Sequence, residues 1–141
     1  MRIAHLFLGL ILLLSHFSSN GQAKKPDAVR LTTFRHVPDE FTGCGDTWYL
    51  SQSDKKRGVM LCVDNYDEVL IYVNGKFQKL KSKADVNDKD SVYSNGKYTL
   101  SIKITYSKKE DDEYHILKGV LTLSSVSGVI YQQKVVGDGG C

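Results

Sequence analysis

Three cysteines, Cys44, Cys62 and Cys141, are the most reactive side chains in the sequence. Cys44 lies between two glycines, which is typical of a loop, and Cys141 is the last residue after a glycine-rich stretch. Cys62 lies in an apolar segment, where cysteine usually behaves as a small buried hydrophobe. We therefore predict a Cys44–Cys141 disulfide and a free Cys62. The alternative is an unpaired, exposed Cys141 that serves as a redox or cross-linking group.

Histidine and carboxylate side chains could form a metal site together with Cys62. His36 precedes two carboxylates, and His115 lies in a later apolar segment. The spacings of zinc sites are absent, since the chain has neither Cys-x-x-Cys nor His-x₃-His. The acidic stretch 85–90 does not place a glycine and a glutamate where a calcium-binding EF-hand loop needs them. We predict neither a metal nor a cofactor.

A nucleophile and base pair could be built from Cys62 and His115. A thiol in an apolar strand has a raised pKa and is inert, which argues against this pair. The carboxylates of 111–113 are typical of a turn, and the chain has no serine elbow, phosphate-binding loop or dinucleotide fingerprint. We predict that the protein is not an enzyme.

The first 23 residues have the order of a secretory signal. Arg2 is followed by an apolar run at 6–14 and by small residues at the end of the segment, Gly21 and Ala23. The run is shorter than the ~20 apolar residues that span a bilayer. We predict a cleaved N-terminal signal helix at 1–23 and an exported domain at 24–141, secreted or periplasmic, without a membrane span.

Removing 23 of the 141 residues leaves 118, which fits one domain. The full chain carries 19 basic and 16 acidic residues, and the signal removes only Arg2. Basic and acidic residues are interspersed, whereas a nucleic-acid-binding protein shows a one-sided basic stripe. We therefore predict no nucleic-acid partner.

The exported part is patterned as β-strands that position these residues. Residues 98–106 alternate, with Leu100, Ile102, Ile104 and Tyr106 on one face. Asn74-Gly75 is typical of a type I′ turn and predicts a hairpin of 69–73 with 76–80. Further strands are predicted at 28–34, 47–51, 58–63, 114–123 and 129–136.

Two polar segments, 82–96 and 107–113, are predicted as loops. About seven to eight short strands without a convincing helix predict an all-β fold, a single antiparallel β-barrel or sandwich. The predicted core consists of Trp48, Leu50, Val59, Leu61, Val63, Val69, Ile71, Val73, Leu100, Ile102, Ile104, Leu117, Leu121, Leu123, Tyr131 and Val135.

Short motifs in the chain resemble a group of small exported bacterial proteins of unknown function. They are Phe-Thr-Gly-Cys at 41–44, Asn-Gly at 74–75, Lys-Leu-Lys at 79–81 and the glycine-rich end at 137–141. Asp46 and Gly139 stand where that group has two further cysteines. If those two normally pair, their joint loss leaves Cys44 and Cys141 as partners, so the resemblance implies the same disulfide.

Two other families share short stretches with the chain. Residues 93–98 are similar to a stretch of the periplasmic inhibitors of c-type lysozyme, although Lys89 and Asp90 replace the serine and glycine of that motif. Trp48-Tyr49 resembles the start of lipocalin-type barrels, although the glycine before it is not at the usual spacing. The first resemblance implies an exported lysozyme-inhibiting barrel, and the second implies a carrier of a small apolar ligand.

We predict a non-enzymatic exported domain that binds a protein or small ligand outside the cytoplasm. Loops on a rigid scaffold often make functional contacts, so 82–96 and 107–113 are the predicted contact surfaces. The alternatives are a barrel that encloses a small apolar ligand beside Trp48, or an enzyme with a cleft that holds His36 or His115 beside a carboxylate.

Overall fold

The computed structural model describes residues 28–83 and 90–141. The predicted signal peptide at 1–23 and its cleavage site lie outside the described residues, as do 84–89 in the middle of one predicted loop. No helix among the described residues has the length and apolar character needed to cross a membrane.

Nine strands and one short helix make up most of the described chain. The elements are β1 (Leu31–Thr32), a 3₁₀ turn (Asp39–Phe41), β2 (Gly45–Tyr49), α1 (Gln52–Lys56), β3 (Cys62–Asp64), β4 (Glu68–Val73), β5 (Lys76–Ser82), β6 (Asp90–Ser94), β7 (Tyr98–Lys109), β8 (Tyr114–Ser125) and β9 (Gly128–Gly140). The all-β prediction is confirmed, and the sequence analysis missed α1. Its N-terminus is capped by Ser51, whose hydroxyl accepts a hydrogen bond from the Asp54 N–H.

The strands form a closed barrel rather than a sandwich. Each strand from β2 to β9 pairs antiparallel with the next along the chain, and β9 returns to pair with β2. This is an eight-stranded up-and-down barrel, an arrangement in which closure removes most free strand edges. The extra strand, β1, pairs with the end of β4 at Val73 and Tyr72.

The inward side chains of the barrel form its core. Trp48, Leu61, Ile71, Leu100 and Leu121 are all at most 1% exposed. Twelve of the sixteen predicted core residues are buried, whereas Leu50, Val59, Ile104 and Tyr131 are only partly buried. The sequence analysis did not include Leu80, Tyr93 and Tyr98, which belong to the same cluster.

A second apolar cluster covers part of the outer wall. Phe34 and Phe41 from the N-terminal arm pack against Val63 of β3 and Leu70 of β4. Leu70 points outward because it alternates with Val69 and Ile71, which face the core. Because both faces of β3 and β4 are covered, the sequences of these strands are nearly continuous runs of apolar residues.

A β-bulge in β7 breaks the alternation predicted for 98–106. Ile104 pairs with Gly119 and Tyr106 pairs with Lys118, so Thr105 is the extra residue. One extra residue moves every later side chain to the opposite face. Tyr106 is therefore 45% exposed instead of sharing the core face with Leu100, and that part of the prediction was wrong.

The two predicted loops are shorter than expected. Within 82–96, residues Asp90–Ser94 form β6, which pairs with β5 and β7. Within 107–113, β7 continues to Lys109 and only the following four residues form the turn. Polar side chains on an exposed strand face make both segments resemble loops in sequence. The Asn74-Gly75 turn is confirmed, with the positive φ angles of 48° and 76° that a type I′ turn requires.

Candidate functional site

The barrel closes at a seam between β2 and β9, and the disulfide lies at the end of this seam. Gly45 pairs with Gly140, and the residues just outside that pair, Cys44 and Cys141, form the predicted bond. Cys62 is free and fully buried in the core, as predicted. The seam has five residue pairs, so the covalent link reinforces a short closure.

Glycines at the seam leave space for larger side chains from β2. A Cβ atom on Gly137 would lie 2.7 Å from Cε3 of Trp48. The Asp46 carboxyl occupies the space that a side chain at residue 139 would need. The glycine-rich end of the chain, which resembles a frayed tail in sequence, is therefore the inner wall against which Trp48 and Asp46 pack.

Two carboxyl groups lie close together on neighbouring strands beside the seam, that of Asp46 on β2 and that of Asp64 on β3. The Asp46 N–H donates a hydrogen bond of 3.2 Å to Oδ1 of Asp64, which also accepts one of 3.1 Å from the Tyr66 N–H. Burial, followed by the charges of Asp64 and Asp138, raises the pKa of Asp46 to about 7. Burial also raises the pKa of Asp64, although hydrogen bonds from Asp46, Tyr66 and Tyr93 oppose that effect.

The candidate residues from the sequence are not brought together. His36 is exposed on the N-terminal arm, and His115 is half-buried on β8, in register with Gly139. Burial raises the pKa of the Cys62 thiol well above its usual range, and the nearby charges of Asp64 and Asp46 add to this. Among residues 28–83 and 90–141, no group of three or more potential ligands is placed to hold a metal ion.

A polar network attaches α1 to the outer wall of the barrel. Nζ of Lys55 donates a hydrogen bond of 3.0 Å to Oη of Tyr114 and lies 3.5 Å from Oδ2 of Asp138. The Tyr114 hydroxyl donates one of 3.2 Å to the same Oδ2. Burial and then the Asp138 charge raise the pKa of Tyr49 to about 12, which keeps that phenol protonated beside the network.

Replacing Lys55 by methionine should loosen α1. Asp138 would lose its cationic partner, and its Oδ1 atom is already buried without a hydrogen bond to another described residue. We expect the free energy of unfolding to fall by about 1 kcal/mol, because the pair is only partly buried. Urea denaturation would measure this loss, and amide exchange would report the opening of α1. Lys56→Met, on an exposed neighbour, is the matched control, and an equal loss in both variants would contradict the role of Lys55.

An open groove lies beside α1 on the outer face of β8 and β9. Its volume is about 570 Å³. Its lining residues come from α1 and the residues just before it, from the β7 bulge, and from β8 and β9. They are Leu50, Gln52, Thr105, Lys118, Gly119, Val120, Lys134, Val135 and Val136. A shallower groove at Val120, Gln132, Gln133 and Lys134 adjoins it along β9.

The groove combines an apolar floor with positive charge. Val120 and Val136 alternate with Lys118 and Lys134 on the outward faces of their strands. Neither lysine forms an ion pair with another described residue. Nζ of Lys118 lies 5.2 Å from the centre of the Tyr106 ring, which the β7 bulge has turned outward. The sequence analysis missed this site because the bulge that shapes it leaves no clear signal in the sequence.

The stretch that resembles lysozyme inhibitors, 93–98, is the hairpin between β6 and β7. Tyr93 and Tyr98 are buried in the core, 3% and 4% exposed. Oδ1 of Asn95 accepts hydrogen bonds from the Lys97 and Tyr98 N–H groups, which is a typical Asx turn. The core packing of the two tyrosines and the Asx turn therefore account for the sequence of 93–98, and the resemblance to lysozyme inhibitors stays a prediction.

The fold and the seam define an eight-stranded up-and-down β-barrel that a disulfide closes between its first and last barrel strands. Comparison of the chain with protein-family models, with curated proteins and with solved structures finds no match.

Proposed function

We propose that the protein is a non-enzymatic binding domain that acts outside the cytoplasm and holds its ligand in the outer groove. The groove itself is the observation that carries this proposal. Its volume of about 570 Å³ falls within the range of small-molecule sites. Lys118 and Lys134 form no ion pair with another residue in the described part of the chain, and they lie beside an apolar floor. This combination favours a ligand that has both an apolar group and a negative charge.

The disulfide supports a site of action outside the cytoplasm. A bond between Cys44 and Cys141 persists in an oxidising compartment and is rare in the reducing cytosol. A secreted or periplasmic location agrees with the signal peptide predicted at 1–23.

The groove replaces the two predicted loops as the proposed contact surface. Most described residues of 82–96 and 107–113 are strand or tight turn. A lipocalin-like carrier with its ligand inside the barrel fits less well, because Trp48, Leu100 and Leu123 meet other buried side chains there. The outer groove is open without displacing any of them.

Titration with sodium octanoate tests the proposal, because this ion combines a carboxylate with an apolar chain. We expect millimolar binding, of the order of 1 mM, with amide shifts in ¹⁵N–¹H spectra at 118–120 and 134–136. Octanol, which lacks the charge, should bind about tenfold more weakly. Shifts centred on Leu100 and Leu121 would instead support a ligand inside the barrel and would contradict the groove.

Charge reversal at Lys118 and Lys134 provides the matching variant. The double variant K118E/K134E should bind octanoate at least about tenfold more weakly, because attraction becomes repulsion. K76E/K83E makes the same change of charge at two exposed lysines away from the groove. If both variants lost the same amount of octanoate affinity, the loss would come from the change in net charge, and this would argue against a binding site at the groove.

A further inference from the structure

One edge of β9 is free along most of its length. Residues 128–135 pair with β8 on one side. On the other side β2 reaches only 136–140, because it ends at Tyr49 and the chain turns into α1. Within 28–83 and 90–141, no other strand pairs with this edge. Alternate residues of this eight-residue stretch, about four of them, therefore present unpaired backbone N–H and C=O groups at the free edge, which ends beside the groove.

Only two of the features that normally protect a free strand occur on this edge, the bulge at Ile130, where the pairing with β8 shifts by one residue, and the charge of Lys134. The edge contains no proline and one charged residue, Lys134. Val129 is 67% exposed, and β-branched or aromatic residues follow it. Proteins usually shield such edges with charge, proline, a bulge or a covering segment, since exposed edges pair with other chains. A lightly protected edge on an otherwise closed barrel is suited to receive a strand, above all over the regular stretch 131–135.

Charge decides what kind of strand fits. Lys134 on the edge and Lys118 on the neighbouring strand point to the outer face, and neither has an acidic partner among the described residues. Residues 128–135 contain no acidic residue. A second copy of this edge would place no acidic residue opposite Lys134, so the lysine charge would stay uncompensated. An acidic strand would supply the opposing charge.

We infer that β9 binds an extended acidic peptide segment, which adds to the free edge as a further strand. The peptide backbone pairs with 128–135, and its acidic side chains lie on the outer face over the groove, beside Lys134 and Lys118. Its apolar side chains alternate with them and point to the opposite face of the added strand. Leu50 and Gln52, at the start of α1, limit the added strand at its end near Val135. This inference rests on the proposed function, because the same groove receives the peptide's acidic side chains.

The test uses a blocked eight-residue peptide in which valine alternates with glutamate. We expect a dissociation constant of about 100 μM by fluorescence anisotropy, and slower amide exchange at 129–135. A peptide of alternating valine and lysine should bind at least about tenfold more weakly. K118E/K134E should weaken binding of the acidic peptide by a similar factor, whereas K76E/K83E should leave it within about twofold.

Methylation of the peptide backbone separates strand addition from groove binding. Two peptides carry N-methyl groups on alternate residues, one on the odd-numbered and the other on the even-numbered residues, so that only one of them has methyl groups on the edge that faces β9. The peptide with methyl groups on that edge should not bind, and the other peptide should still bind. Equal binding of both would overturn strand addition and leave the proposed function intact if Lys118 and Lys134 were still required. Protection of 129–135 that rises with protein concentration in the absence of peptide would assign the edge to a second copy and would also overturn the inference.

Discussion

Removal of the Cys44–Cys141 disulfide should lower the free energy of unfolding by about 4 kcal/mol, the largest effect that we expect from any change in this chain. The two cysteines are 97 residues apart, so the bond closes a loop that contains almost the whole described barrel. The loss of so long a cross-link enlarges the unfolded ensemble, and the native seam is then held only by its five β2–β9 pairs. Urea denaturation of the double variant C44S/C141S would measure the loss.

Reduction provides the control for this prediction. Dithiothreitol should bring the wild-type midpoint down to that of C44S/C141S and should leave the double variant unchanged. Amide exchange should accelerate first at Thr47 and Trp48, which lie in the seam, and last at Leu100 and Leu121, which lie on β7 and β8 outside the seam. The prediction fails if reduction destabilises the double variant as well, since the remaining thiol, Cys62, is buried in the core.

Strand positions and the hairpin were predictable because local patterns fix them. The Asn74-Gly75 turn needs positive φ at two successive residues, and few other residue pairs accept this. The inward set Val69, Ile71 and Val73 follows from a period of two. Barrel closure depends instead on contact between β2 and β9, which are remote in sequence, so the pattern left both barrel and sandwich open.

Deviations from the period of two account for most of what the sequence did not reveal. The bulge at Thr105 reversed the direction of Tyr106, and a bulge has no composition that distinguishes it from regular strand. The seam glycines, Gly137 and Gly139, carry no side chain whose polarity could mark their inward direction. The sequence indicates their inward direction only through their spacing from the buried Val135, since residues two apart on a strand share a face.

The seam carboxyls and the groove could not be predicted for a related reason. Asp64 follows Cys62 at a spacing of two and therefore points into the barrel, but an aspartate at a strand end is usually exposed. Asp46 meets it only because β2 and β3 pair, which brings Thr47 opposite Val63. Lys118 and Lys134 are ordinary surface lysines in sequence, and the groove beside them depends on the bulge at Thr105 and on the position of α1, neither of which the sequence revealed.

Asp46 makes the stability of the barrel depend on pH. Burial and the charges of Asp64 and Asp138 raise the pKa of this carboxyl from its ordinary 3.8 to about 7. Between these two values the folded protein holds a proton that the unfolded chain releases, so stability falls as pH rises through this window. The contribution of Asp46 is therefore fully present below about pH 4 and is lost above about pH 7.

Asp46→Asn should remove this dependence, because an amide of the same size does not ionise. We expect the variant to exceed the wild type by about 3 kcal/mol in unfolding free energy at pH 8, with the difference shrinking toward pH 4. This figure allows for solvent screening of a carboxyl that is not fully buried. Urea denaturation from pH 4 to pH 8 would measure it, with Asp67→Asn, on the exposed turn between β3 and β4, as the control. If the difference in unfolding free energy between wild type and variant did not change with pH, Asp46 would have the same pKa in the folded and unfolded protein. That result would contradict the prediction that burial raises the pKa of Asp46.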